Sequence, residues 1–229
     1  MKKYHSQGGF TLTEMSIVII IVAFIVGAFT YGKSYMNKSR LLSVIRDINN
    51  YKTAIEAFKF KYSEIPGDFS VATSYWSGCS NNGTNTCNGN GNGIITTDGN
   101  ENGRAWQHLS LSKLIDETYP GSVNDATALA GTDYPRSAIK SGGYGILTRS
   151  NDNETFNIAI TLDNVVGVTV DDGVVTATDA WFIDHKIDDS TARSGHVFSE
   201  GDCLDTATPK QYDLDDTSST CTLHFAIKL

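Results

Sequence analysis

Between Phe10 and Phe29 the only ionisable side chain is Glu14. As a helix rising ~1.5 Å per residue, about 20 such residues span ~30 Å, the thickness of a bilayer's hydrocarbon core. A carboxylate near the start of such a span is costly in hydrocarbon and marks function, with a partner to be found. An ordinary signal peptide or signal anchor is the alternative, and it fails on three details. The apolar run is too long for a signal-peptide core, no small-x-small cleavage site follows it, and its Gly-Phe junction precedes the apolar segment. Lys2 and Lys3 stand before the span, which places the N-terminus in the cytoplasm and everything after about residue 32 outside it.

Gly9-Phe10-Thr11-Leu12-Thr13-Glu14, followed by that apolar helix, resembles the N-terminus of type IV pilins and pseudopilins. The resemblance implies that a prepilin peptidase cuts between Gly9 and Phe10 and N-methylates the new amine of Phe10. It also implies that Glu14 pairs with the N-terminal amine of a neighbouring subunit during assembly of a filament. The physics agrees: a carboxylate and an ammonium, each expensive alone in an apolar medium, offset one another by meeting. Wrong registers leave both unpaired, so the pair serves as a register device. Many pilins carry a proline inside the membrane half. Here none is present and only Gly27 and Gly32 interrupt the pattern, so any local melting falls to them.

The expected organisation is a leader over 1–9, a transmembrane or filament-core helix over 10–32, its amphipathic continuation over 33–65 and one exported head over 66–229. The continuation is read from Leu41, Val44/Ile45, Ile48, Tyr51, Ile55, Phe58 and Tyr62, which recur at steps of three and four. Pro66-Gly67 is the expected stop. The fold class is α+β: this long helix packed on a small antiparallel sheet, with loop insertions and short helices.

The formal charge is −8; without Lys2 and Lys3 it is −8 − 2 = −10. That balance argues against a generally basic, phosphate-binding surface and against nucleic acid as partner. The four cysteines fit an exported domain and allow three connectivities. Cys79–Cys87 and Cys203–Cys221 are favoured, because each pair brackets a turn-rich stretch. The second closes a loop of roughly 15–20 residues, worth about 3 kcal/mol in the chain-entropy account, and looks like the disulfide-bounded region near the C-terminus of many pilins. Zinc ligation lacks any close Cys-x-x-Cys or Cys/His spacing.

Residues 68–102 are rich in loops. Within them Asn88-x-Asn90-x-Asn92-Gly93 and Asp98-x-Asn100-x-Asn102-Gly103 align oxygen ligands at alternate positions before a glycine, as a calcium loop does. Asp98 and Glu101 are the acids at hand. The twelfth positions, Gly99 and Leu109, lack the bidentate acid, so calcium competes with a plain Asn/Gly turn region stapled by a disulfide.

Further along, a helix is expected over Arg104–Glu117, a surface excursion over 122–142, and a hairpin from Tyr144–Thr148 and Thr155–Leu162. Val165–Val170 reads as a short third strand. Thr178 or Asp179 is expected to cap a helix over Ala180–Asp188, whose acidic end a metal, a basic partner or plain water would relieve. A last strand is expected over Cys221–Ile227.

Catalysis has no visible seat. His5, His108, His185, His196 and His224 stand in no His-Glu-x-x-His arrangement, and no nucleophile elbow or phosphate loop is present. The reading is a prepilin that is not an enzyme. Its expected partners are membrane lipid before assembly, the prepilin peptidase, an inner-membrane assembly platform and other pilin copies. It would sit in the inner membrane with its head in the periplasm, then in a pilus. Alternatives are a secretion pseudopilin, a minor tip pilin that adheres or binds DNA, and a membrane-tethered binding module that does not polymerise.

Overall fold

A computed structural model describes residues 9–77, 79, 87–121, 128–139, 141–164, 173–206, 208–217 and 220–229. The chain forms two compact units, Met1–Arg40 and Leu41–Leu229.

Helix α1 covers Leu12–Tyr62 and so contributes to both units. In the first unit its apolar side chains point outward on every side, Ile19, Phe24, Ile25 and Phe29 among them, each at least 62% exposed. A helix that is apolar all round and covered by nothing is built for hydrocarbon or for neighbouring helices rather than for water. It is the one helix among the described residues that is long and apolar enough to cross a membrane.

From Leu41 onward the same helix becomes one-sided. Leu41, Val44, Ile48, Ile55 and Phe58 are buried, whereas Arg46, Lys52 and Glu56 are exposed. Tyr51 sets its ring edge-on against Trp106 and Tyr144, with centroids 4.9 and 5.4 Å away. Helix α1 ends at Tyr62, where the expected apolar stripe also ends, a few residues before Pro66. Ser63 turns left-handed (φ 60°) and its N–H closes on Lys59 O at 2.8 Å. Pro66 and Gly67 then turn the chain back.

One short turn of helix, α2 (Ala72–Tyr75), precedes a 3₁₀ turn at Asp98–Asn100 and helix α3 (Glu101–Leu111). The sequence places α3 at Arg104–Glu117; both of its ends lie earlier. Lys113 adopts φ 59°, and the N–H groups of Lys113 and Leu114 return to Ser110 O and Leu109 O. That paired closure terminates the helix. Leu114 and Ile115 pack against the core from the loop beyond.

The sheet is antiparallel throughout. Strands β1 (Gly143–Ser150) and β2 (Thr155–Asp163) form the expected hairpin, with Ile146 opposite Ile160. Its turn is held by Asn151, whose Oδ1 accepts from the N–H groups of Asn153 and Glu154. Next come β3 (Val175–Thr176), helix α4 (Ala177–Ile187), β4 (Val197–Glu200) and β5 (Thr220–Ile227). Strand β5 pairs with β2, with β4 and, at its start, with β3, so the C-terminal strand joins the sheet together. The expected strand over 165–170 lies outside the described residues.

Helix α4 starts earlier than Ala180. Its cap is Thr176, whose Oγ1 accepts from Asp179 N–H at 3.2 Å, rather than Thr178 or Asp179. Thr176-x-x-Asp179 is an N-terminal helix signature that the apolar pattern alone does not reveal. Disulfides join Cys79 to Cys87 and Cys203 to Cys221, with Cα atoms 5.6 and 5.4 Å apart, and no cysteine is free.

Candidate functional site

Two features of the N-terminal segment set its chemistry. Gly9 and Phe10 lie outside α1 and are both exposed, Phe10 by 83%. Their shared peptide bond is therefore not locked in helical hydrogen bonds, the condition a protease needs. Immediately after it, Thr11 and Glu14 form a reciprocal cap. Thr11 Oγ1 accepts from Glu14 N–H at 3.2 Å, while Glu14 Oε2 accepts from Thr11 N–H at 2.8 Å and from its hydroxyl at 2.7 Å. Two orphan donors at the start of the helix are satisfied at once. The carboxylate that is anomalous in an apolar span thus folds back on the helix end, where the positive pole of the helix also favours it. Sequence reasoning found Glu14 and missed Thr11, although Thr11-x-x-Glu14 carries the signature of a capping box.

Five of the candidate calcium ligands accept protein donors. Asn88 Oδ1 accepts from Thr73 N–H and its hydroxyl, Asn90 Oδ1 from Asn92 N–H, and Asn92 Oδ1 from Ile94 N–H. Asn102 Oδ1 accepts from Gly103 N–H. Glu101 receives Asn90 N–H on one carboxylate oxygen and Thr96 on the other. Asn100, left-handed at φ 62°, leads into α3, and the side chain of Asp98 lies outside the described residues. The organising acid is Asp68, which the spacing argument did not select. Fully buried, it accepts from Gly91 N–H (2.6 Å), Asn92 N–H (3.1 Å) and Gly93 N–H (2.7 Å). A protein carboxylate thus fills a cradle of backbone donors. Gly89 belongs to the same construction, because a Cβ there would collide with the backbone of Gly67 and Asp68.

At the acidic end of α4 all three carboxylates accept protein donors. Among the described residues, Asp184, Asp188 and Asp189 are the group whose ligand atoms lie within 4.8 Å of one another. Asp184 accepts from Ser190 N–H and Tyr212 OH, both within 2.9 Å. Asp188 accepts from His196 and Val197 N–H, and Asp189 from Thr191 N–H and Ser194 OH. Burial pushes the Asp184 carboxyl up to about 7.

Two of the histidines are buried in the head. His108 is buried; its Nδ1 accepts from Gly67 N–H at 3.0 Å, so Nε2 carries the proton and donates to Cys87 O at 2.8 Å. Burial drives its pKa down to about 4. His224, also buried, has Nδ1 3.1 Å from Thr161 Oγ1 and Nε2 3.4 Å from Glu200 Oε2. Beside it the Glu200 carboxyl is held down to about 2, chiefly by that histidine. His185 Nδ1 lies 2.9 Å from Ser190 Oγ on the surface, with its ring stacked on Trp181.

Residues 4–30 match the family model described as the prokaryotic N-terminal methylation motif. No curated protein and no solved structure matches the chain.

Proposed function

We propose that this chain, whose N-terminal segment carries the signature of type IV pilins and pseudopilins, is a filament subunit that is cut between Gly9 and Phe10 and methylated on Phe10. The observation that carries the reading is the order of three features along one short stretch. An exposed non-helical Gly9–Phe10 bond comes first, then a Glu14 carboxylate at the helix start, then an apolar helical surface with nothing covering it. Cleavage turns Phe10 into a new ammonium beside that carboxylate, and the apolar surface of α1 has lipid or other subunits as its available partners.

The mechanism is structural rather than catalytic. Lipid holds the uncovered helix until an inner-membrane assembly platform extracts the subunit. Glu14 then exchanges its contacts with Thr11 for the amine of a neighbouring copy, and burial of α1 against other helices replaces lipid. A pilus and a secretion pseudopilus use this same chemistry. The net negative charge argues against a DNA-binding tip role.

The test pairs processing with assembly. Co-expression with a prepilin peptidase is expected to give a mature chain beginning at N-methylated Phe10, read by mass spectrometry of the N-terminal peptide. Glu14→Ala is expected to be processed and membrane-bound yet absent from sheared filaments. Unprocessed wild-type protein, or normal filaments from Glu14→Ala, would overturn the reading.

A further inference from the structure

We propose that Asn90-Gly91 and Asn92-Gly93 form a latent deamidation site that the buried carboxylate of Asp68 holds closed. In such a pair the glycine nitrogen loses its proton to solvent base and attacks the asparagine Cγ. The new N–Cγ bond forms as the Cγ–Nδ2 bond breaks, ammonia leaves, and a succinimide remains. Water then opens that ring to aspartate or isoaspartate. Glycine favours the reaction because no side chain hinders its nitrogen. Both asparagines are exposed, so water and base reach them.

What stands in the way is the nucleophile's proton. Gly91 N–H donates to Asp68 Oδ1 at 2.6 Å and to Asp68 O at 3.1 Å, and Gly93 N–H donates to Asp68 Oδ2 at 2.7 Å. Hydrogen bonds to an ionised acceptor are the strong ones, and removing the proton would set a second negative charge against the carboxylate. The electrophiles are restrained as well. Asn90 Oδ1 is committed to Asn92 N–H at 2.9 Å and Asn92 Oδ1 to Ile94 N–H at 3.0 Å, each one residue beyond the attacking nitrogen. The carboxylate thus preserves the very amides that shape its cradle. Conversion of either to isoaspartate would lengthen the backbone by a methylene and add charge beside Asp68. Asn88-Gly89 is closed independently of that carboxylate, since Gly89 N–H donates to Phe69 O at 2.9 Å.

Full-length protein in detergent, held in mildly alkaline buffer and followed by peptide mapping, tests this. Native Asn90 and Asn92 are expected to deamidate at least about tenfold more slowly than in the same chain unfolded with urea and reductant, the factor given by ~1.4 kcal/mol of added barrier. Folded Asp68→Asn, which keeps the shape but lacks the charge, is expected to speed Asn90 and Asn92 more than Asn88. Equal rates in native and unfolded wild-type chains overturn the proposal, whatever the variant does. So does a folded Asp68→Asn in which the two sites are unchanged, or in which Asn88 accelerates equally.

Discussion

Glu14 and Thr11 hold each other at the start of the longest helix in the molecule, with the carboxylate accepting both the N–H and the hydroxyl of Thr11. The pair separates two roles that one residue combines, capping and charge. Glu14→Gln keeps the capping shape and removes the charge. It is expected to leave the first-turn amides of α1 as protected from hydrogen exchange as in wild type, yet to remove filament assembly. Thr11→Ala is expected to fray that first turn. Assembly at the wild-type level in Glu14→Gln would show that the charge is not what registers subunits.

His108 and Asp184 give the head opposite pH dependences. His108 is neutral when buried, so its unfolded form takes up a proton near 6.5 while the folded form resists until about 4. Its contribution is full above 6.5 and falls as pH drops through that window, by about 3 kcal/mol. The Asp184 carboxyl, raised to about 7 from 3.8, works in the other direction, because the folded form keeps a proton that the unfolded form releases. Denaturant melts of the full-length protein from pH 7 to 4 therefore mix two slopes. In His108→Gln, which keeps a donor and an acceptor but does not titrate, stability is expected to rise on acidification relative to wild type. Parallel curves for the two proteins would rule out His108 as a titrating group.

Tyr212 ties the disulfide-bounded segment to α4. Ser199 OH donates to Tyr212 OH at 3.4 Å, and Tyr212 OH donates to Asp184 Oδ2 at 2.8 Å. Tyr212→Phe strands a buried acceptor and is expected to cost about 1–3 kcal/mol. Proteolytic nicking between Cys203 and Cys221 should rise with it. Tyr75→Phe, at a ring 60% exposed, is expected to change stability by about 0.5 kcal/mol or less and serves as the control.

Calcium is expected to leave the melting temperature unchanged at about millimolar concentration, the range that neutral ligands would reach. Both carboxylate oxygens of Asp68 and of Glu101 already accept protein donors, as do the side-chain amide oxygens of Asn90 and Asn92. A cation would have to displace them. A melting temperature that climbs with calcium and saturates, and that chelator reverses, would show the loop rebuilding around an ion.

The sequence by itself determined the parts governed by local pattern. An uninterrupted apolar run dictates an all-round apolar helix, steps of three and four dictate the buried stripe from Leu41 to Phe58, and alternation dictates the β1–β2 hairpin and the closing strand β5. The motif from Gly9 to Glu14 is equally local, since the proposed cleavage bond, the cap and the carboxylate lie within six consecutive residues. The helix caps at Thr11 and Thr176 each stand three residues before an acid, a spacing that hydrophobic periodicity overlooks.

Tertiary structure decided how the loop oxygens are used. Alternating asparagines followed by glycine describe a metal loop and a self-satisfied turn region equally well, because spacing sets where oxygens occur along the chain but not which donors reach them. Asp68, 23 residues before Gly91, supplies the acceptor that fills the cradle. Strand β4 was equally hidden: it has only four residues, too few for a period, and exists because β5 offers it an edge. Long-range partners of this kind carry no local signature, since the free energy that selects them arises only when burial removes water as the competing donor and acceptor.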